Sequence, residues 1–173
     1  MIKYFVCLCL CFPPLFAAAQ RNKVDSLAIL LSSEKVDSNR VTLLWNMAAA
    51  SYAYKPDTAL VLAQDAINLA RKIKFTEGES RALGILANSF LKIGNYPRAL
   101  EFYLSKLKIE ENRNSPRNLA SVTMNIGIVH VYQEEYRVAL PFYYKADSII
   151  RVNNISDLAY NIAVNLGDVY NKL

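Results

Sequence analysis

The strongest limit on the fold of this chain is an internal repeat with a spacing of 40 residues. Residues 96–103 and 136–143 share one pattern, which consists of Tyr, two variable residues, Ala-Leu, one variable residue and Phe-Tyr. Fixed periods of roughly 20 to 50 residues are typical of solenoids, in which each unit packs on its neighbours. The sequence therefore predicts a stack of similar units. In each unit an apolar residue is followed by a small one, at Met47-Ala48, Leu86-Ala87, Ile126-Gly127 and Leu166-Gly167. The first of these units has one residue fewer in the turn between its two helices.

Each unit has the pattern of two antiparallel helices. Apolar residues recur at helical spacing, and small residues occur where the two helices would approach most closely. We expect Ala59, Ala99 and Ala139 to face the small residues of the pairs named above. The seams between hairpins are expected to be filled by Leu86, Phe90, Phe102, Tyr103 and Ile109.

Proline and glycine predict where the helices begin and end. Because proline is accepted in the first turn of a helix, Pro56, Pro97 and Pro116 are predicted to mark helix starts. Gly94-Asn95 is a predicted break between two helices. Pro141 would fall inside a second helix, where we expect a kink or a late helix start.

The first 19 residues have the pattern of a secretory signal peptide. Lys3 precedes an apolar run from Tyr4 to Phe16, and three alanines at 17–19 form a site for signal peptidase. A retained membrane anchor is the alternative, but a span needs about 20 apolar residues and this run is shorter and contains two prolines. We expect cleavage before Gln20 and export, to the periplasmic side of a Gram-negative bacterium. Cys7, Cys9 and Cys11 precede this site, so no disulfide is expected.

The charge pattern argues against a nucleic-acid partner. Without Lys3 the chain keeps 19 of its 20 basic residues against 15 acidic ones, and the two signs are interspersed. A nucleic-acid binder would concentrate basic residues on one face and interleave aromatic residues. Acidic residues on the amphipathic helices are expected to be solvated, namely Glu77, Glu79, Glu101, Glu110 and Glu111.

No catalytic arrangement is evident in the sequence. His130 is the only histidine, and it occupies the repeat position held elsewhere by Phe90 and Tyr170. This position predicts a packing role. His130 and Glu134 could supply two metal ligands, but a zinc site needs three or four. We therefore expect no enzyme activity, no metal and no cofactor in this chain.

The paired small and aromatic positions resemble the tetratricopeptide repeat (TPR) family over roughly residues 40–173. The resemblance implies an all-α, superhelical solenoid of antiparallel helical hairpins, with a period of 40 residues in place of the usual ~34. After the signal peptide at 1–19 we expect an N-terminal helix and linker at 20–38. Hairpins are expected at about 39–75, 76–115 and 116–154, with an incomplete fourth at 155–173. Lys106 departs from the family, which prefers alanine at that position, as at Ala66 and Ala146.

In TPR proteins the first helices of the hairpins line the concave side, which is where the resemblance places a peptide-binding surface. Asn46, Asn125 and Asn165 occupy equivalent positions, and Asn88 lies about one turn further on. Side-chain amides both donate and accept hydrogen bonds, which suits the backbone of an extended peptide. Trp45 and Tyr52 would add apolar contact area. The alternative is that these asparagines bridge adjacent hairpins or face water.

The stretch from Val24 to Asn46 is similar to the opening of exported repeat regions in bacterial membrane sensors. In those proteins a membrane helix and a histidine kinase or DNA-binding output domain follow. This resemblance implies a protein-binding or sensing module, the N-terminal fragment of a signal-transduction protein, with membrane association only through missing downstream sequence. A stand-alone periplasmic scaffold or assembly factor is the alternative. We expect a fragment because the fourth repeat reaches Leu173 inside its first helix.

Overall fold

In the computed structural model, the backbone is described for residues 12–173 and the side chains from residue 22 onward. Residues 1–11 of the predicted signal peptide lie outside the described residues, so its cleavage stays a prediction. The described part of the chain contains only helices as regular structure. They are α1 (Phe12–Ser33), α2 (Asp37–Ser51), α3 (Pro56–Lys72), α4 (Thr76–Lys92), α5 (Tyr96–Arg113), α6 (Pro116–Tyr132), α7 (Tyr136–Val152) and α8 (Ser156–Tyr170). Among these helices none is long and apolar enough to cross a membrane.

The helices stack in chain order, and each packs on the one before it. In addition, α2 packs directly on α4 and α6 packs on α8. Within the described residues no packing of that extent joins α3 to α5 or α5 to α7. The same holds for α4 and α6, so direct packing between first helices joins α2 to α4 and α6 to α8, whereas no described pair of second helices packs in this way. We call the surface formed by α2, α4, α6 and α8 the first-helix face.

The small residues lie at the helix contacts, as the repeat predicts. Ala59, Ala99 and Ala139 are fully buried, and so are Ala48 and Ala87 on the first helices. With no side chain beyond Cβ, these residues let two helix axes approach closely.

Glycine fills the same position in the third and fourth repeats, with different results. A Cβ on Gly127 would lie 2.5 Å from Cε1 of Tyr143, so the ring occupies that space. Gly167 is exposed, and a Cβ there would meet no atom within 4 Å. No second helix packs beside Gly167 among the described residues, so its place at a hairpin crossing stays a prediction.

The seams are filled by the predicted apolar residues. Leu86 and Tyr103 are buried, and Phe90, Phe102 and Ile109 pack against the apolar clusters between helices. The rings of Phe90 and Phe102 stack with centroids 5.4 Å apart. Burial of such side chains contributes about 1.5–3 kcal/mol each, so these seams hold successive hairpins together.

Proline and glycine mark the turns as expected, with one exception. Pro56 and Pro116 are the first residues of α3 and α6, and Pro97 lies in the first turn of α5. Gly94 has a φ of 78°, a conformation that glycine adopts without strain. Pro141 lies inside α7, which begins at Tyr136, so the alternative of a late helix start is wrong.

Candidate functional site

The six residues predicted to bind a peptide all lie on or beside the first-helix face, and they form three separate pairs. One pair consists of Trp45 and Asn46 on α2. Another brings together Tyr52, which directly follows α2, and Asn88 on α4. The third brings together Asn125 on α6 and Asn165 on α8. The residues therefore follow the length of the stack without forming one continuous row.

Trp45 and Asn46 are engaged within the protein. The guanidinium of Arg81 lies over the indole ring of Trp45, 5.4 Å from its centroid, and the ring packs against the apolar cluster of the first hairpins. The side-chain amide of Asn46 donates to the carbonyl of Thr42 at 2.8 Å, one turn earlier in the same helix. One amide N–H of Asn46 and one face of the Trp45 ring are therefore already engaged within the protein and are not available to a ligand.

Tyr52 and Asn88 line a groove of about 410 Å³, which we call the tyrosine groove. Three successive hairpins contribute to it, because its side chains come from the end of α2, from α4 and the start of α5, and from the end of α6. The rings of Tyr96 and Tyr132 stack across it, with centroids 5.9 Å apart. The lining residues are Tyr52, Asn88, Leu91, Lys92, Gly94, Tyr96 and Tyr132.

A hydrogen bond to Tyr103 fixes the orientation of Asn88. The hydroxyl of Tyr103 donates to Oδ1 of Asn88, and the tyrosine itself is buried beneath the groove. A tyrosine hydroxyl is protonated at neutral pH, and burial raises the pKa of Tyr103 further, so this hydroxyl stays a donor at alkaline pH as well. With its oxygen engaged in this way, Asn88 presents its amide N–H groups as donors.

Asn125 and Asn165 line a second groove of about 320 Å³ between α6 and α8, which we call the asparagine groove. Neither side chain hydrogen-bonds to another described residue, so both amides are available to a ligand. Tyr160 and Val164 beside them belong to α8, the last helix of this chain, and are 78% and 40% exposed. The full lining consists of Met124, Asn125, Ile128, Tyr160, Asn161, Val164 and Asn165.

His130 lies at a packing position. Its imidazole stacks on Phe142 with centroids 5.3 Å apart, as Phe90 stacks on Phe102 in the preceding hairpin. Nδ1 of His130 lies 2.7 Å from Oε2 of Glu135, and not beside Glu134. Among the described residues no three His, Cys, Asp or Glu side chains are close enough together to hold a metal ion.

A buried polar cluster inside the second hairpin was not predicted from the sequence. Glu110 is only 1% exposed, so the prediction that it is a solvated charge is wrong. Both of its carboxylate oxygens accept from Arg113 at 3.1 Å, and one accepts from Asn118 on α6 at 3.3 Å. The hydroxyl of Ser80 also donates to it. These donors satisfy the hydrogen-bonding capacity of the buried carboxylate, which would be costly to leave unpaired.

Lys106 completes the cluster and explains its departure from the repeat pattern. Its ammonium donates to the carbonyl of Ser80 at 3.1 Å and to the hydroxyl of Ser80 at 2.9 Å, and lies 3.7 Å from Glu110. Burial lowers the pKa of Lys106, while the charge of Glu110 opposes that effect. A Cβ on Gly84 would lie 3.5 Å from Cδ of Lys106, in ordinary van der Waals contact, so the lysine stem packs along this part of α4.

The signal for this cluster was a coordinated change at three repeat positions. Ser80, Lys106 and Glu110 are polar, whereas the residues 40 positions later are apolar. Those apolar residues are Ala120, Ala146 and Ile150. One polar residue at a core position suggests that this position is exposed to solvent. Three polar residues that meet across a hairpin indicate instead that they hydrogen-bond to one another in the core.

Comparison with known proteins gives matches in structure and none in sequence. No family model matches the chain, and no curated protein does. A Rap protein complexed with Competence and Sporulation Factor superimposes with a TM-score of 0.78 and 16% identity, over 90% of this chain and 45% of that one. The nearly identical TPR-like repeats of a kinesin light chain from Podosopora anserina superimpose at 0.69 with 14% identity, over 92% and 83%.

A third similar structure is a signal-transduction ATPase with numerous domains and a tetratricopeptide repeat sensor, from Pyrococcus horikoshii. It superimposes with a TM-score of 0.77 and 16% identity, over 90% of this chain and 25% of that one. The chain thus spans less than half the length of the Rap protein and of the ATPase. At these identities the likeness establishes the fold, which is an all-helical solenoid of the TPR type.

Proposed function

We propose that this chain is a polypeptide-binding module that takes an extended segment of a partner protein along its first-helix face. The observation that carries the proposal is the asparagine groove. There two side-chain amides at equivalent repeat positions, Asn125 and Asn165, line one groove and have no hydrogen-bond partner among the described residues. Each amide offers a donor and an acceptor, the combination that one residue of an extended backbone needs.

The tyrosine groove on the same face supports the proposal. Its exposed rings offer large contact area at a small cost in side-chain entropy, which favours binding of a protein segment. The two grooves lie at different repeats of one face, so an extended peptide is the ligand shape that reaches both. The similar Rap protein complexed with Competence and Sporulation Factor also supports a ligand-binding role for this architecture.

We further propose that the module is exported and senses its partner for a signal-transduction protein. The signal-peptide pattern of residues 1–19 supports export, and the tetratricopeptide repeat sensor of the similar ATPase supports a sensing role. Mass spectrometry of the exported protein should find an N-terminus at Gln20, and an intact Met1 would contradict export by cleavage. The sensor role also predicts a membrane helix and an output domain further along the reading frame, whereas a stop codon after one more hairpin would favour a stand-alone scaffold.

Selection of short random peptides displayed on phage tests the binding role, with immobilised wild-type protein as the target. Selected peptides should bind the Asn125→Ala/Asn165→Ala variant at least about tenfold more weakly, because two hydrogen-bonding amides are lost. Asn112→Ala is the matched control, since Asn112 is exposed near the end of α5 and lines neither groove. Equal affinity for the double variant and the wild type would remove the asparagine groove from the site.

A further inference from the structure

The turn between α5 and α6 is fastened less firmly than the other turns that join one hairpin to the next. After α3 the N–H of Phe75 donates to the carbonyl of Ala70 at 2.8 Å, and after α7 that of Ile155 donates to Ile150 at 2.9 Å. Such a bond ends many helices, together with an apolar contact from the donating residue. After α5 the equivalent residue is Ser115, and among the described residues its N–H makes no such bond. This turn therefore lacks both the hydrogen bond and the apolar side chain.

The side chains beside this turn are polar where the other joints are apolar. Asn118 on α6 donates to the buried carboxylate of Glu110 on α5 at 3.3 Å. Forty residues earlier is Gly78, where a Cβ would lie 2.5 Å from Cδ1 of Phe75, and forty residues later is the buried Leu158. Interlocked apolar groups at the other two joints are thus replaced here by a hydrogen bond. A hydrogen bond between side chains restrains rotation of two helices less than close packing does.

The first helices are also separated at this joint. α2 packs directly on α4 and α6 on α8, whereas among the described helices α4 and α6 have no packing of that extent. The tyrosine groove opens between the ends of α4 and α6. Residues of the first two hairpins line one side of it, and Tyr132 of the third hairpin lines the other. The groove therefore crosses the joint.

We infer that Asn114 and Ser115 form a hinge between the second and third hairpins, and that a peptide bound in the tyrosine groove draws α6 toward α4 and closes it. Hinges are typically a few residues at the ends of helices or strands that absorb changes in backbone angle. An apolar cluster that includes Tyr103 and Ile126 connects α5 to α6 and supplies the pivot. The closing of the hinge by a peptide rests on the proposed function, whereas the hinge itself does not.

Equivalent exposed residues on the second helices provide a matched measurement. Asn68 on α3, Lys108 on α5 and Ser148 on α7 are spaced by 40 residues. In the full chain, with its three native cysteines replaced by alanine, pairs of spin labels are attached to new cysteines. Lys108→Cys with Ser148→Cys spans the hinge, and Asn68→Cys with Lys108→Cys spans the preceding joint. Double electron–electron resonance of the free protein should give a broader distance distribution for the hinge pair than for the control pair.

Two substitutions exchange the properties of the two joints. Ser115→Ile copies Ile155 and should narrow the distance distribution across the hinge. Phe75→Ser copies the hinge turn into the preceding joint and should broaden the distribution of the control pair. Circular dichroism shows that each labelled variant remains helical. Equal widths for the two pairs in the otherwise unchanged protein would overturn the hinge.

A peptide selected on the wild-type protein tests whether binding closes the hinge. The bound peptide should narrow the distribution of the hinge pair and lengthen its mean, because drawing α6 toward α4 on the first-helix face separates the second helices. The control pair should not change. An unchanged hinge pair with peptide bound would overturn the closure and leave peptide binding intact. Failure to select any peptide would contradict the proposed function and the closure with it, while the widths in the free protein still decide the hinge.

Discussion

The ring of Tyr143 occupies the space that a side chain on Gly127 would need. A Cβ on Gly127 would lie 2.5 Å from Cε1 and 2.7 Å from Cδ1 of the ring. Tyr143 is buried, and it belongs to α7, whereas Gly127 belongs to α6. Glycine at this repeat position therefore allows the two helices of the third hairpin to pack around a tyrosine.

We predict opposite effects for alanine at the two equivalent glycines. Gly127→Ala should lower the free energy of unfolding by about 1–2 kcal/mol, because overpacking against Tyr143 outweighs the better helix propensity of alanine. Gly167→Ala should raise it by about 0.5–1 kcal/mol, since the space there is open. Urea unfolding followed by circular dichroism measures both. Two changes of the same sign would contradict the packing described for Gly127.

The buried cluster of the second hairpin predicts that two substitutions together cost less than one. Glu110→Leu alone leaves the Lys106 ammonium buried beside Arg113 and should cost about 3–5 kcal/mol. Adding Lys106→Met removes the stranded charge and should restore much of that loss. A double variant that is no more stable than Glu110→Leu would show that Lys106 and Glu110 are not coupled.

Buried tyrosines predict a loss of stability at alkaline pH. Burial, with a smaller effect from the charge of Asp168, raises the pKa of Tyr143 to about 12. The unfolded chain loses this proton near pH 10, so the contribution is complete below about pH 10 and is lost as pH rises to about 12. The slope is about 1.4 kcal/mol per pH unit for one such group.

Comparing the pH dependence of unfolding in Tyr143→Phe and wild type isolates this effect. Above pH 10 the free energy of unfolding of the variant should fall by about 1.4 kcal/mol less per pH unit than that of the wild type. Tyr160→Phe is the control, because Tyr160 is 78% exposed and should leave the slope unchanged. Parallel curves for wild type and Tyr143→Phe would contradict the burial effect.

His130 should be replaceable by phenylalanine. Phe90 stacks on Phe102 at the equivalent position, with nearly the same centroid distance as His130 on Phe142. His130→Phe should therefore change the free energy of unfolding by less than about 1.5 kcal/mol, whereas His130→Ala should cost more because it leaves a cavity. A large loss for both variants would show that the contact of His130 with Glu135 matters more than the stacking.

The repeat made most of the fold predictable, because its small residues have to be periodic for the helices to pack. Ala59, Ala99 and Ala139 were placed correctly for that reason. Lys106 and Glu110 were not, because four residues apart on an amphipathic helix they have the pattern of solvated charges. Comparison with the next repeat indicates that they are buried, because Ala146 and Ile150 occupy the same two positions there.

The candidate site was predictable in part. Repeat spacing placed Asn125 and Asn165 at equivalent positions, and they line one groove. Spacing cannot show that Asn46 bonds to the carbonyl of Thr42, since both outcomes fit the same pattern. Nor does it reveal the tyrosine groove, which combines residues from the ends of helices in three different hairpins.

The proposed binding mode places an extended peptide along the first-helix face. The most direct measurement is nuclear magnetic resonance of labelled protein during titration with the tightest-binding selected peptide. We predict that the largest shifts occur in α4, α6 and α8, with the side-chain amides of Asn88, Asn125 and Asn165 among them. Shifts confined to the second helices α3, α5 and α7, with these three amides unchanged, would contradict the account.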